Sequence, residues 1–479
     1  TITAPVEFDY FPFPVITKGD TLTTVKNMVA PFTEWEEEME RLLSDGSAPA
    51  MSRYLRVLDR YSEADGYTIE QALAVEAAKL GVGKDVFERP FLSLSNGERT
   101  KLMLAALFLR KNRFLLIDEP TNHLDQEGRD AIGSYLSGKK GFLLVSHDRD
   151  LLDQCVDHIL SLNRTGIDLQ HGNYSSWQLN RDRQDQFELA RNEQLKKEIR
   201  RLNAAARTAS AWSDKTEKTK KGLGQDSASG LRPDRGAIGH KAAKLMKRAK
   251  SIEQRREHAA EETTKLLKNL EQSEPLKLHP LSYPKTRLVS VQDLSICYSN
   301  QAVFSPVSFD VHRGDRIALE GPNGSGKSSI LKLLCGQEIP HQGTLSTGSG
   351  LMISYVPQDT AALQGSLTRL AQENGVEESL FKAVLRKLDF SRAQFEKDLS
   401  ELSEGQKKKV LLAAGICKPA HLYLWDEPLN FIDILSRVQI ERLILEFQPT
   451  LLFVEHDSRF RSNIATKRVS LISPENAKP

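Results

Sequence analysis

An α/β protein built from two tandem copies of one domain, joined by a long α-helical hairpin, is predicted from three observations. Two strings recur at a constant spacing, continuous apolar runs end in an acid or a histidine, and a long central stretch lacks Gly and Pro. The recurring strings are "LSNGE" at 94–98 with "LSEGQ" at 402–406, and "FLLIDEPTNHLD" at 114–125 with "LYLWDEPLNFID" at 422–433. Ser95 and Ser403, Asp118 and Asp426, Glu119 and Glu427, and Asp125 and Asp433 are each 308 residues apart, and His147 and His456 are 309 apart. A spacing held over so many positions is a duplication.

Within each copy, an apolar run ends in acid, a helix-length stretch follows, and a second run ends in His ("GFLLVSH", "TLLFVEH"). Runs without polar alternation read as parallel strands buried on both faces. The second copy also contains "RIALEGPNGSGKSSILKLL" at 316–334, an apolar run, a Gly-rich loop and a helical pattern; the first copy has no such loop. "DYFPF" at 9–13 resembles "SYVPQ" at 354–358, with Phe13 and Gln358 345 residues apart. The first copy is therefore 37 residues longer before its repeated string, and "EWEEEMERLL" and "SRYLRVLDRY" mark that excess as a helical arm over about 33–80. The same offset puts a missing loop 24 residues before Thr1, so an N-terminally truncated first copy is expected.

Between the copies, residues 173–221 and 240–274 hold no Gly or Pro and are dominated by Ala, Lys, Arg, Glu, Gln and Leu, residues that favour long helices. Gly222, Gly224, Gly230, Pro233, Gly236 and Gly239 separate the two stretches. A helical hairpin follows, with its tip over about 208–240. Helical arms of about 40 to 45 residues would reach roughly 60 to 70 Å at ~1.5 Å per residue. The expected domains are a first copy at 1–172, the hairpin at 173–280 and a second copy at 281–479.

Charge is unevenly placed. The 66 Lys+Arg and 64 Asp+Glu nearly cancel, but residues 181–270 hold 23 basic and 13 acidic side chains, a net of +10 that leaves −8 elsewhere. The densest run, "HKAAKLMKRAK", contains Lys241, Lys244, Lys247, Arg248 and Lys250. Such a stripe is either a solvated coiled-coil face or a polyanion-binding prong that displaces counterions from phosphates. Composition is otherwise ordinary, with 39% hydrophobic and 27% charged residues. No apolar run approaches the ~18 to 20 residues that a membrane helix needs. Cys155, Cys297, Cys335 and Cys417 form no CxxC pair, which argues against zinc or a disulfide framework and for a reducing, cytoplasmic setting.

"GPNGSGKS" at 321–328 fits the phosphate-binding pattern GxxxxGK[ST] in its strand-to-helix context. Backbone N–H groups from Gly321, Pro322, Asn323, Gly324, Ser325 and Gly326 onward would surround phosphate oxygens at a helix N-terminus, proline itself giving no donor. Lys327 adds a cation, the Ser328 hydroxyl reaches Mg²⁺, and Ser329 follows. Asp426 is placed to hold the same Mg²⁺, and Glu427 to orient the attacking water. Gln358 and His456 follow strand-like runs and belong to the same constellation, Gln358 also as a Mg²⁺ contact. Tyr298, 23 residues before Gly321, either packs locally or stacks on adenine.

With these strings together, the chain resembles a twin-cassette ATPase of the ABC-F family. The resemblance spans nearly the whole chain: two signature strings, two acid-ending strands, two His loops, and a linker after "GNYSSW" at 172–177. It implies head-to-tail pairing of the two cassettes within one monomeric chain, so each ATP meets one cassette's phosphate loop and the other's signature. One site would combine the 321–329 loop with Ser95, Asn96, Gly97 and Glu98. The other would use Asp118, Glu119 and His147 with Ser403, Glu404, Gly405 and Gln406. Phe13 stands where the family usually has Gln and Asn96 where it has Gly; Asn tolerates left-handed backbone, which would spare the signature. "WDEPLNFID" and "GAIGHKAAKLMKRAK" resemble the Lsa and Vga-like resistance branch.

That resemblance implies a ribosome-protection ATPase using ATP and Mg²⁺. It would enter the ribosomal exit site, touch large-subunit rRNA and tRNA, and promote release of lincosamides, pleuromutilins and streptogramin A. Trp212, Arg232 and Arg235, with Lys241, Lys244, Lys247 and Arg248, are the candidate RNA contacts. A housekeeping translation factor and a DNA-associated ATPase are the alternatives. Hydrolysis by the truncated chain is expected to be impaired.

Overall fold

The computed structural model describes residues 7–15, 19–122, 124–163, 166–221, 276–298 and 301–472, with isolated helical positions between 244 and 258. Two compact units result, one of Thr1–Val156 with Ser273–Pro479 and one of Asp157–Gln272. The first unit contains both copies of the repeat.

In the first copy, β1 (Glu7–Phe11), β2 (Arg113–Asp118) and β3 (Phe142–Val145) form a parallel sheet in that order. Between β1 and β2 lie α1 (Thr21–Val29), α2 (Phe32–Asp45), α3 (Ala48–Glu63), α4 (Ile69–Lys79) and α5 (Asn96–Leu109). The chain then runs through α6 (Gln126–Ser137) to β3 and α7 (Arg149–Cys155). Helices α2 and α3 have a small apolar cluster of their own, Leu42, Ala50 and Val57 with Trp35, Met39 and Tyr54 against them. The sheet packs instead in a larger core that joins Phe11, Leu115 and Ile117 to Leu102, Leu104, Ala105 and Ile132.

The second unit opens with an antiparallel hairpin, β4 (His158–Asn163) and β5 (Gly166–His171), and continues as α8 (Tyr174–Lys221). At ~1.5 Å per residue this helix is about 70 Å long. It occupies 208–221, the first part of the stretch assigned to the hairpin tip, since the first helix breaker is Gly222. Lys244 and Lys247 are helical and exposed. The side chain of Trp212, and Arg232, Arg235, Lys241 and Arg248, lie outside the described residues.

The second copy begins with β6 (Arg287–Tyr298), β7 (Gln301–Ala302) and β8 (Val307–His312), followed by β9 (Arg316–Glu320), α9 (Lys327–Leu334), β10 (His341–Thr347) and β11 (Ile353–Val356). After α10 (Leu367–Glu373), α11 (Glu378–Lys387) and α12 (Glu404–Cys417) come β12 (Leu422–Asp426), α13 (Ile434–Phe447), β13 (Leu451–Val454), α14 (Ser458–Ile464) and β14 (Lys467–Ser470). Its main sheet is parallel, in the order β11-β12-β13-β9-β14. The run β11-β12-β13 repeats β1-β2-β3. A separate antiparallel sheet, in which β6 pairs with β8 and β10, covers α9 through Val289, Val291, Ile330 and Leu331. Among the described residues, no helix is long and apolar enough to cross a membrane.

Candidate nucleotide site

The Gly-rich loop joins β9 to α9, as its sequence context predicts. Gly326 caps α9 with φ +84°, and a Cβ there would come within 3.0 Å of the Phe304 ring, so the turn needs glycine for both conformation and space. Lys327 is buried and donates from Nζ to Gly321 O and Pro322 O, each at 2.7 Å. Burial lowers its pKa, against the opposing charges of Glu427 and Asp426. An ammonium bonded to the loop's own carbonyls keeps that charge beside the phosphate-binding backbone.

Two carboxylates face the loop from the end of β12. Asp426 is fully buried; its Oδ1 accepts from Ser328 Oγ at 3.0 Å, and its Oδ2 has no hydrogen-bond partner. Burial raises its pKa. A hydroxyl and an orphaned buried carboxylate oxygen side by side are hard donors suited to Mg²⁺. Among the described residues no group of three or more His, Cys, Asp or Glu could hold a metal.

Glu427 is the better placed for water. His456 Nε2 lies 3.3 Å from its Oε1, and Asn430 Nδ2 donates to its Oε2 at 2.5 Å. Burial pushes its pKa up, but His456, Gln358 and Lys327 outweigh burial and bring it down to about 2. Both Glu119 and Glu427 have positive φ, +48° and +47°, an uncommon conformation for residues with a side chain. Each is fixed by its own N–H, donated to Val145 O or Val454 O. This backbone feature has no sequence signature.

The first copy's signature lies across the same space. Ser95 caps α5, accepting from Glu98 N while Glu98 accepts from Ser95 N, a reciprocal capping box. Ser95, Asn96, Gly97 and Glu98 share the lining of a cavity of about 810 Å³ with Tyr298, Asn323 to Ser329, Gln358, Glu427 and His456. Tyr298 is half exposed there, its hydroxyl 2.8 Å from Ser329 Oγ. Asn96 departs from expectation: it is the first residue of α5 and is not among the left-handed residues, so ordinary helical backbone accommodates it. Lys101, Asp125 and Arg129 also line the cavity. Their places in α5 and at the start of α6 follow from the signature and the Asp-ending string, whereas their lining of the cavity has no local sequence signal.

The other half-site is less complete. Asp118 accepts from Tyr10 Oη at 2.7 Å, and Glu119 Oε1 is 3.7 Å from His147 Nε2. Burial raises Glu119 to about 7 despite Arg437, and burial together with Arg437 lowers His147 to about 4. Ser403 and Gln406 form a capping box on α12 like that of the first copy, Glu404 accepts from Thr360, and Gly405 packs against Phe431 O, which a Cβ would meet at 2.6 Å. None of these four lines the large cavity.

The family described as ABC transporter matches residues 21–122 and 304–430. The erythromycin resistance ATP-binding protein MsrA of Staphylococcus epidermidis is 30% identical over 482 residues, covering 95% of this chain and 90% of that protein. The chain belongs to the ABC-F family. The ribosome protection protein VmlR of Bacillus subtilis (strain 168) is 29% identical to this ABC-F chain over 382 residues, 78% of this chain and 67% of that protein. Another protein of that strain, the putative ATP-binding protein YdiF, is 32% identical over 431 residues, 88% of this chain; the chain spans only 62% of YdiF. Among solved structures, the archaeal ribosome recycling factor aABCE1, in complex with the ribosomal stalk protein aP1, has a TM-score of 0.51 at 18% identity, over 97% of this chain and 86% of that one. At that identity the likeness is one of fold.

Proposed function

We propose that this ABC-F protein is a ribosome-protection ATPase whose working site lies between the second copy's phosphate loop and the first copy's signature. The single cavity lined by residues 323–329 and 95–98 carries the reading. ATP binds with its phosphates on the loop and Lys327, and its adenine on Tyr298. Ser95, Asn96, Gly97 and Glu98 approach from the other cassette. Ser328, Asp426 and Gln358 would hold Mg²⁺, which when bound neutralises β- and γ-phosphate oxygens. Glu427, kept ionised and bonded by His456, orients a water in line with the γ-phosphorus. The water oxygen bonds to phosphorus, the bridging P–O bond breaks, ADP leaves with the electron pair, and the water's proton passes by way of the carboxylate to phosphate. Glu119 and His147 take the matching roles opposite Ser403, Glu404, Gly405 and Gln406, with Asp118 beside them.

On this reading the cassettes, taken from the repeat as 1–172 and 281–479, pair within one chain, and the hairpin at 173–280 meets polyanion. The net charge of +10 over 181–270 supports a polyanion as its partner, and the ribosome-protection name of one relative favours RNA. Two relatives are named for ribosome protection, VmlR, and for erythromycin resistance, MsrA. The protein works in the cytoplasm at the ribosomal exit site, with Trp212, Arg232, Arg235, Lys241, Lys244, Lys247 and Arg248 at rRNA and tRNA. Its resemblance to the Lsa and Vga-like branch points to lincosamides, pleuromutilins and streptogramin A.

Cell-free translation arrested by lincomycin or tiamulin is the test, with erythromycin as a comparison arm. The protein with ATP restores synthesis, and Glu427→Gln cuts its ATP hydrolysis at least a hundredfold. Failure against all three drugs removes the resistance reading. Co-sedimentation with DNA but not ribosomes would remove the ribosome as well.

A further inference from the structure

Behind the two His loops, the copies meet through a buried ionic cluster that the nucleotide chemistry does not use. Arg149, the first residue of α7, is 4% exposed. Its Nη2 lies 2.5 Å from Glu441 Oε1 and 3.2 Å from both carboxylate oxygens of Asp457. Asp457 follows His456 directly and is itself buried. Its Oδ1 accepts from Phe460 N at 2.8 Å, capping α14, and its Oδ2 lies 3.3 Å from Arg437 Nη1. The same Nη1 donates to His147 O, in the opposite copy, at 3.0 Å. One cluster thus grips both His loops, each from the other copy.

The grip is not symmetric. Asp148, the first-copy counterpart of Asp457, pairs at 3.0 Å with Arg129 of its own copy, as Asp457 pairs with Arg437. The counterpart of Arg149 is Ser458, which carries no charge and instead donates to Asp150. Asp457 therefore has two guanidinium partners, one supplied by the first copy. When the copies part, Arg149 must leave, and Asp457 keeps Arg437 alone, so the carboxylate loses one of its two cations and draws in water or moves.

We propose that Arg149 is a positioning residue for hydrolysis at the second copy's site, holding Asp457, and through it the backbone of His456, in place only while the two copies are closed on one another. The inference rests on the assignment of hydrolysis to the Glu427 site. It makes closure a condition for placing His456 against Glu427, in addition to bringing the signature to the phosphates, and it makes the two sites unequal by construction.

Steady-state ATP hydrolysis of the 479-residue chain tests it. Asparagine at 457 can still cap α14, so the helix start survives the change. Asp457→Asn lowers kcat at least tenfold with KM for ATP within twofold, the pattern of a lost transition-state alignment. Arg149→Lys, which keeps the charge but withdraws the Nη2 nitrogen that reaches both Glu441 and Asp457, lowers kcat three- to tenfold, and combining it with Asp457→Asn adds no further loss. Glu441→Gln removes the other acceptor and stays within twofold. If Glu441→Gln and Asp457→Asn reduce kcat equally, the cluster is only structural and the proposal is overturned. It is overturned as well if Asp457→Asn and Arg149→Lys each stay within twofold while Glu427→Gln abolishes hydrolysis. Hydrolysis that survives Glu427→Gln refutes the site assignment, and this inference with it.

Discussion

The Glu427–His456 and Glu119–His147 pairs occupy equivalent places in the repeat and have the same left-handed glutamate, yet their environments pull them apart. Glu427 and His456 are 3.3 Å apart, with Asn430 on the other carboxylate oxygen and the glutamate's pKa brought down to about 2. Glu119 and His147 are 3.7 Å apart, and burial leaves the glutamate at about 7. Burial acts in the same direction on both. What differs is compensation: Glu427 has His456, Gln358 and Lys327 acting on it, whereas Glu119 is opposed by Asp118 and Asp148 and helped mainly by Arg437. A shared motif therefore does not mean a shared protonation state; the neighbours decide it.

Gln358 and Phe13 give the most direct way to break that contrast. Gln358 helps lower the pKa of Glu427, while Phe13 at the matching position lies under the Arg110 guanidinium, 4.5 Å from ring centroid to carbon. Gln358→Phe should make the second copy resemble the first, with Glu427 losing one of the neighbours that lower its pKa. We expect hydrolysis to fall by about tenfold, as read by steady-state kcat, less than the roughly hundredfold or more that losing a donor aimed at the reacting oxyanion costs. An unchanged kcat would place the asymmetry elsewhere, in Lys327 above all.

A pH series on stability sharpens the other side. With Glu119 raised from 4.5 to about 7 in the folded chain, the native state binds more protons than the unfolded state between those values. Its contribution is complete below about pH 4.5 and is lost as pH rises through 7. Thermal unfolding between pH 5 and 8 should show a decline of about 1 to 3 kcal/mol that Glu119→Gln removes, a side chain 20% exposed permitting most of the shift to register. A variant whose pH profile overlays the parent's would rule out a protonated Glu119.

Much of the architecture was legible because it rests on local pattern. The repeat spacing located both copies, the unbroken apolar runs became β2, β3, β12 and β13, and the Gly-rich string became the turn between β9 and α9. The antiparallel sheet has no such local pattern: β10 reads "HQGTLST", with Leu345 its one apolar residue, and only its pairing with β6 makes it a strand. The site divides in the same way. Lys327, Ser328, Asp426 and Glu427 follow from residue type and spacing. Arg149, Asp457 and Arg437 do not, because their chemistry arises from contacts across some 300 residues of chain, and no periodicity records such a meeting.

The smallest effect concerns the signatures. Ser95-Asn96-Gly97-Glu98 and Ser403-Glu404-Gly405-Gln406 start their helices with the same reciprocal cap, and Asn96 occupies the first helical position. Since Asn96 has ordinary helical backbone, Asn96→Gly gains no conformational freedom that the turn requires and loses a side chain at the rim of the cavity. Glycine at a helix's first turn costs well under the ~1 kcal/mol of a helix interior. We expect a change in Tm of no more than a few degrees and hydrolysis within about threefold of the parent. A loss of tenfold or more, with KM for ATP raised in step and kcat unchanged, would instead make the Asn96 side chain a direct nucleotide contact, and the two signatures would then differ in chemistry as well as in sequence.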